Sequence, residues 1–149
     1  MNATMRVKRV FSRKELKKAF AIRMRVFVRE QGVPAEIELD EDDKRAIHFL
    51  AFTAGKTVGT ARVVLRRASA KIGRMAVLKS YRGRGVGMKL LQKAIEAAKR
   101  KRARGIYLHA QVSVIGFYET AGFRAVGPVF EEAGIRHRKM TWTKRSPAR

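Results

Sequence analysis

Val7 and Val10 alternate with Arg6 and Lys8, so residues 5–10 read as a first strand. Leu16, Ala19, Phe20, Ile22, Val26 and Phe27 then recur at three- and four-residue steps, the spacing of a helix with one apolar face. Ser12 followed three residues later by Glu15 marks its start as a capping box, and Gly32-Val33-Pro34 marks its end. Two β-prone apolar runs, 46–54 and 57–65, flank Ala54-Gly55-Lys56, a hairpin pattern, and the run 70–77 extends them to a three-strand meander. Val86, Leu90, Leu91, Ala94, Ile95 and Ala98 form the apolar stripe of a second helix, with Lys89, Lys93, Glu96 and Arg100 opposite. Basic residues 99–104 suit its last turn and Gly105 its C′ position. A strand over 105–110, a short helix over 113–121, a strand over 123–126 and a final strand over 135–143 pairing with it complete the chain. Residues 144–149 are expected to be a frayed tail. This order predicts an α/β (α+β) domain over residues 1–149, a mixed, mostly antiparallel central sheet flanked by helices.

The chemistry concentrates between the fourth and fifth predicted strands. Tyr81-Arg82-Gly83-Arg84-Gly85-Val86-Gly87 joins an apolar strand to the second helix. Glycines let a backbone approach a ligand, and the first N–H groups of a helix have no internal partner, so strand, glycine turn and helix together suit a phosphate group. A Walker A loop is excluded because Lys89 is followed by Leu90 and the glycine spacing is wrong. A dinucleotide fingerprint is excluded because the glycines are spaced by two and residues 97–118 contain no Asp or Glu for a ribose.

Arg82-x-x-Gly85-x-Gly87 resembles the pyrophosphate motif of the GNAT family of acyl-CoA-dependent N-acyltransferases, and Phe117-Tyr118-x-x-x-Gly122-Phe123 resembles the family's later segment. The resemblance implies the acyl-CoA N-acyltransferase fold, with acetyl-CoA as co-substrate and no metal. It further implies that Arg82, Gly83, Arg84, Gly85, Val86, Gly87 and Met88 hold the pyrophosphate. Met75, Ala76 and Val77 would offer a strand edge to the pantetheine arm and an N–H to the thioester carbonyl. Tyr118 falls on the family's general-acid position, where a basic site is expected to pull its pKa down from about 10. The base is open between Glu38, Asp40 and Asp43 of an acidic loop, His109, and water; His137 is a candidate lining of the acceptor pocket, and His48 reads as a structural histidine.

A narrower resemblance links Arg23-x-x-x-Phe27, Glu38-x-Asp40-x-x-Asp43 and Gly59-Thr60-Ala61-Arg62 to the front half of acyl-homoserine-lactone synthases, although Val33 stands where those enzymes carry Trp. It implies that Arg23, Glu38, Asp40 and Arg62 surround the acceptor. The acidic loop itself reads as a place to hold a cationic amine. An EF-hand is excluded, because Lys44 and Arg45 occupy a ligand position and the required glycine.

Composition sharpens this only in part. With no cysteine there is no disulfide and no thiolate nucleophile. No apolar run spans a membrane, and no apolar leader opens the chain, so the cytoplasm is the expected location. Thirty-five Lys and Arg against 12 Asp and Glu give a net charge of +23, which makes polyanions candidate partners. The expected function is transfer of an acetyl group from acetyl-CoA to the primary amine of a small molecule or peptide. The alternatives are another acyl-CoA or acyl-carrier donor, or a basic nucleic-acid- or ribosome-associated protein using the fold as a scaffold. A homodimer stays open as the assembly.

Overall fold

The computed structural model describes residues 4–143. Its strands are β1 (Met5–Arg9), β2 (Ile47–Thr53), β3 (Lys56–Arg66), β4 (Ser69–Val77), β5 (Gly105–Gln111), β6 (Phe123–Glu132) and β7 (Ile135–Trp142). Its helices are α1 (Arg13–Arg23), α2 (Ala35–Glu38), α3 (Val86–Arg100) and α4 (Ile115–Glu119). The strands form one sheet in the order β1-β2-β3-β4-β5-β7-β6. Every neighbouring pair is antiparallel except β4 and β5, which α3 connects as a crossover. The expected mixed, mostly antiparallel sheet is therefore present. No described helix is long and apolar enough to cross a membrane.

Local chemistry explains the joints. Ala54 and Gly55 both take positive φ, 51° and 76°, the two-residue turn that matches strand twist in the β2–β3 hairpin. At the start of α1 the Ser12 hydroxyl accepts from the Glu15 N–H at 3.1 Å, and the Glu15 carboxylate reaches back to the Phe11 N–H at 3.0 Å. The expected capping box thus closes one residue earlier than its usual partner, Ser12.

One face of the sheet packs against α3, whose Val86, Leu90, Leu91, Ala94 and Ala98 are buried against Val58, Val63, Ile72, Leu108 and Met140. The other face receives Ala19, Ile22 and Val26, which meet Leu50 and Ala76. That second layer covers β2, β3 and β4. Gly59 permits the close approach of α3: a Cβ there would lie 3.0 Å from Leu90 Cδ1, 3.1 Å from Val86 Cγ1 and 3.2 Å from the Ala76 carbonyl.

Four expectations need correction. The helix after Arg23 does not continue as α; residues Met24–Glu30 widen into π-type turns, with the Gln31 N–H bonded to the Val26 carbonyl at 3.1 Å. The widening keeps Val26 in the core and also brings Phe27 and Gln31 to a cleft described below. Gly105 is not the C′ residue of α3. Arg102 adopts the left-handed conformation (φ 58°), with Ala103 N–H on the Ala98 carbonyl and Arg102 N–H on the Lys99 carbonyl, and Gly105 opens β5. Strand β6 runs on to Glu132 rather than ending at Val126, with a register shift between Val126 and Phe130 that accommodates Pro128. The short helix is a tight turn over Val112–Val114 followed by α4, and stops at Glu119 rather than residue 121. The tail expected at 144–149 lies outside the described residues.

Gly59→Ala is expected to destabilise the fold by about 1–3 kcal/mol, because Leu90, Val86 and a backbone carbonyl must all give way. Gly73→Ala, which would meet nothing within 4 Å, serves as the control in urea denaturation.

Candidate functional site

Strands β4 and β5 pair only from Ser69 opposite Gly105 to Ile72 opposite Leu108. Past that point β4 bulges. Between Thr60 and Arg62 of β3, two steps face three on β4, from Ala76 to Gly73, and Arg74 takes φ 50°. The bulge turns β4 away from β5, so Gly73, Ala76 and Val77 keep their pairing with β3 while residues 73–77 have none on the β5 side. The gap opens into a cleft of about 840 Å³. Met75, Ala76, Val77, Arg82, Gly83, Gly85, Val86, Gly87 and Met88 all line it, so the structure brings together every expected cofactor position except Arg84.

One end of the cleft is made of backbone N–H groups of the kind that suits an anion. Gly83 and Gly85 adopt positive φ, 77° and 83°, and Gly85 is the N-cap of α3. The first intrahelical bond runs from the Lys89 N–H to the Gly85 carbonyl, which leaves the N–H groups of Val86, Gly87 and Met88 free of helical partners. Side chains add less than expected. Arg82 places its two terminal nitrogens on Glu30, at 2.6 and 2.8 Å, and its Nε on the Val77 carbonyl at 2.9 Å. It therefore ties the wide helical segment to the glycine turn instead of presenting a free cation. The same hydrogen bond from Arg82 holds the Glu30 carboxyl below its usual range. Arg84 lies over the Tyr81 ring at 5.2 Å.

Tyr118 of α4 sits at the split, its hydroxyl 3.8 Å from Met75 Sδ and its ring edge-on to Phe117 and Phe123. Burial pushes its pKa up to about 12, which reverses the expected downward pull. The hydroxyl consequently keeps its proton throughout the neutral range.

The acidic loop is spent on arginines. Arg23, 1% exposed, donates to Glu38 Oε2 at 3.0 Å, to the Glu38 carbonyl at 2.8 Å, and to both Asp43 oxygens at 2.7 and 3.1 Å. Arg62 donates to Asp40 at 2.7 and 3.0 Å and to Asp43 at 2.9 Å. Arg74 reaches Glu38 Oε2 at 3.0 Å and Asp40 at 3.2 Å. This corrects two expectations. Arg23 and Asp40 do not line the cleft, and the loop presents no free carboxylate to the cleft, where Glu38 is its one lining acid. Glu38 and Arg62 do line the cleft, but with their charges already paired. Burial would raise the Asp43 pKa, yet the Arg23 hydrogen bonds outweigh it and hold the group well below the ordinary value. Burial wins at Glu38, whose pKa is raised. His48 is structural as expected: Nε2 meets the Asp43 carbonyl at 3.0 Å, and burial lowers its pKa.

The far wall rises from β5, β6 and β7. His109 Nδ1 lies 3.0 Å from Glu132 Oε1, and the Phe130 ring stands edge-on at 5.0 Å. The His109 hydrogen bond lowers the Glu132 pKa to about 2. An ionised Glu132 accepts a hydrogen bond from the Nδ1–H of His109, which fixes the tautomer that leaves the Nε2 lone pair unshared. His137, 8% exposed, lines the same wall; it stacks on Phe130 and bonds the Ile135 carbonyl through Nδ1 at 2.7 Å. Sequence reasoning missed Glu132, Lys71 and Arg74. Arg74 carried a local sign, Gly73-Arg74 interrupting an apolar strand, whereas Glu132 meets His109 only through the β5-β7-β6 strand order.

Asp43→Asn would leave Arg23 and Arg62 partly uncompensated in a buried site, and is expected to destabilise by about 3–5 kcal/mol at pH 7. Because the folded-state pKa of Asp43 is depressed, its contribution is present above the unfolded value near 3.8 and disappears as pH falls below it. Denaturant midpoints of wild type and variant should therefore converge under acid.

Residues 7–144 match the sequence model described as an Acetyltransferase (GNAT) domain. The chain is 39% identical over 127 residues to the uncharacterized N-acetyltransferase YjcF of Bacillus subtilis, covering 85% of this chain and 91% of that one. Among solved structures, an acyl-CoA N-acyltransferase from Pseudomonas aeruginosa superposes with a TM-score of 0.84 at 29% identity, over 94% of this chain and 100% of that one. The acyl-homoserine-lactone synthase LasI shares the fold, with a TM-score of 0.74 at 16% identity over 93% and 91% of the two chains.

Proposed function

This chain belongs to the GNAT family of N-acetyltransferases, and we propose that it transfers the acetyl group of acetyl-CoA directly to the primary amine of a small molecule or peptide. The observation that carries this reading is the unpaired edge of β4 opening beside the free N–H groups that begin α3. An acyl-CoA needs both features at once. Its diphosphate suits the glycine-lined helix end, where aligned peptide dipoles and N–H donors favour negative charge. Its pantetheine amides suit an open strand edge, which they can extend. Bound there, acetyl-CoA supplies an activated acyl carbon and a thiolate leaving group.

The residues of the cleft divide the proton traffic. An amine attacks only when neutral, so a base must take its proton. His109 fits better than Glu38, because its Nε2 is free while Glu38 Oε2 is shared by Arg23 and Arg74. Glu132 orients the ring and stabilises the imidazolium that forms. As the nitrogen–carbon bond forms and the carbon–sulfur bond breaks, the thiolate takes a proton from Tyr118. Burial keeps that hydroxyl protonated until needed. The nitrogen loses its second proton as the amide forms, and that proton returns to the Tyr118 oxygen, so an ammonium acceptor and acetyl-CoA yield an N-acetylated amine, free CoA and one proton held on His109 for release to solvent.

Acetyl-CoA and CoA should raise the melting temperature, while ATP, NAD and short DNA should not; no response to acetyl-CoA would sink the proposal. Tyr118→Phe and His109→Gln are each expected to lower kcat by about 100-fold or more with acetyl-CoA binding retained. Unchanged kcat in either variant would remove that residue from the mechanism.

A further inference from the structure

Six ionic side chains other than histidine line the cleft: Glu38, Arg62, Lys71, Arg74, Arg82 and Glu132. Five of them are matched. Glu38 faces Arg23 and Arg74, Arg62 faces Asp40 and Asp43, Arg74 faces Glu38 and Asp40, Arg82 faces Glu30, and Glu132 faces His109. Lys71 alone has no ion-pair partner among the described residues. It is half-buried on β4, and its pKa is lowered first by burial. Nearby cations, Arg66, Arg62 and Arg74, add to that lowering, and Glu132 is the one acid that opposes it. Desolvating an ammonium without a counter-ion is costly. The cleft therefore carries one unmet electrostatic demand, and it is for an anion.

Position says which anion. Lys71 stands opposite Tyr107 of β5, two residues before His109. Neighbouring strands and two residues of rise put the Lys71 and His109 backbone positions roughly 8 Å apart. With side chains converging on one cavity, that spacing suits an amine and an acidic group on the same small molecule, a few bonds apart.

Resting on the N-acetyltransferase reading above, we infer that the acceptor is an amine that also bears a carboxylate, and that Lys71 seats the carboxylate while His109 receives the amine. Cationic acceptors such as polyamines lack a match here, since both cleft carboxylates are already engaged.

The test assays CoA release from acetyl-CoA with the α-amino acids and, in parallel, their α-carboxamides. Carboxylate-bearing acceptors should be preferred at least about 10-fold in kcat/KM, the scale of one charge-assisted hydrogen bond. Lys71→Met should abolish that preference through KM for the acceptor, leaving KM for acetyl-CoA and its thermal stabilisation intact; Lys71→Arg should restore part of it. As a second readout, the CoA-loaded protein should be stabilised by N-acetyl amino acids and not by their amides. Equal use of carboxamides, an undiminished preference in Lys71→Met, or neither turnover nor product binding favouring the acid overturns the inference. If acetyl-CoA itself fails to stabilise the protein, the transferase reading falls with it, so the two failures are distinguishable.

Discussion

A strand can hydrogen-bond on two sides only while it stays flat between its neighbours. β4 does so for Ser69–Ile72 and then takes an extra residue at Gly73–Arg74, which commits the rest of it to β3 and frees its other edge. Unpaired backbone groups in a folded interior need partners. The free edge lies where the chain also leaves the first turn of α3 unpartnered. The unpaired N–H and C=O groups of the strand edge thus meet the unpaired N–H groups of the helix start in one cleft, and the proposed binding of acyl-CoA rests on that coincidence.

The left-handed backbone at Arg74 is sustained by what its side chain reaches. Its guanidinium bonds Glu38 and Asp40, which also hold Arg23 and Arg62. Three arginines and three carboxylates from α1, the acidic loop, β3 and β4 form one lattice, buried at Arg23, Glu38, Asp43 and Arg62 and reaching the surface at Asp40 and Arg74. Each charge is expensive alone and acceptable only in company. The lattice ties the N-terminal helix to the bulged strand, so the cleft keeps its shape without a covalent brace. Arg82 and Glu30 make a second tie across the glycine turn.

The remaining wall is built differently. β5, β7 and β6 present aromatic rings and a His109–Glu132 pair. The helical layer that covers β2, β3 and β4 leaves this half of the sheet to the cleft. The same sheet therefore offers an ion-locked side and a side whose polar groups remain free to act.

Much of this was legible in one dimension. Periodicity located both long helices and the first strand, and apolar runs bounded by turn residues located the other strands, since burial dictates which residues are apolar. Glycine spacing located the turn that opens α3, because positive φ at Gly83 and Gly85 is a local requirement. Ser12 and Glu15 announced the helix start for the same local reason. What only the tertiary structure decided is which groups are left over. Arg23, Asp40 and Arg82 carry the residue types of ligands, yet the fold spends them on other side chains: Arg23 on Glu38 and Asp43, Asp40 on Arg62 and Arg74, Arg82 on Glu30. Tyr118 was expected among cations and lies instead among Phe117, Phe123 and Met75, which moves its pKa the other way. Glu132 and Lys71 gain their meaning only when β6 and β4 converge on the cleft. Backbone conformation is set by neighbours along the chain, whereas the pairing of charges depends on distances that exist only after folding.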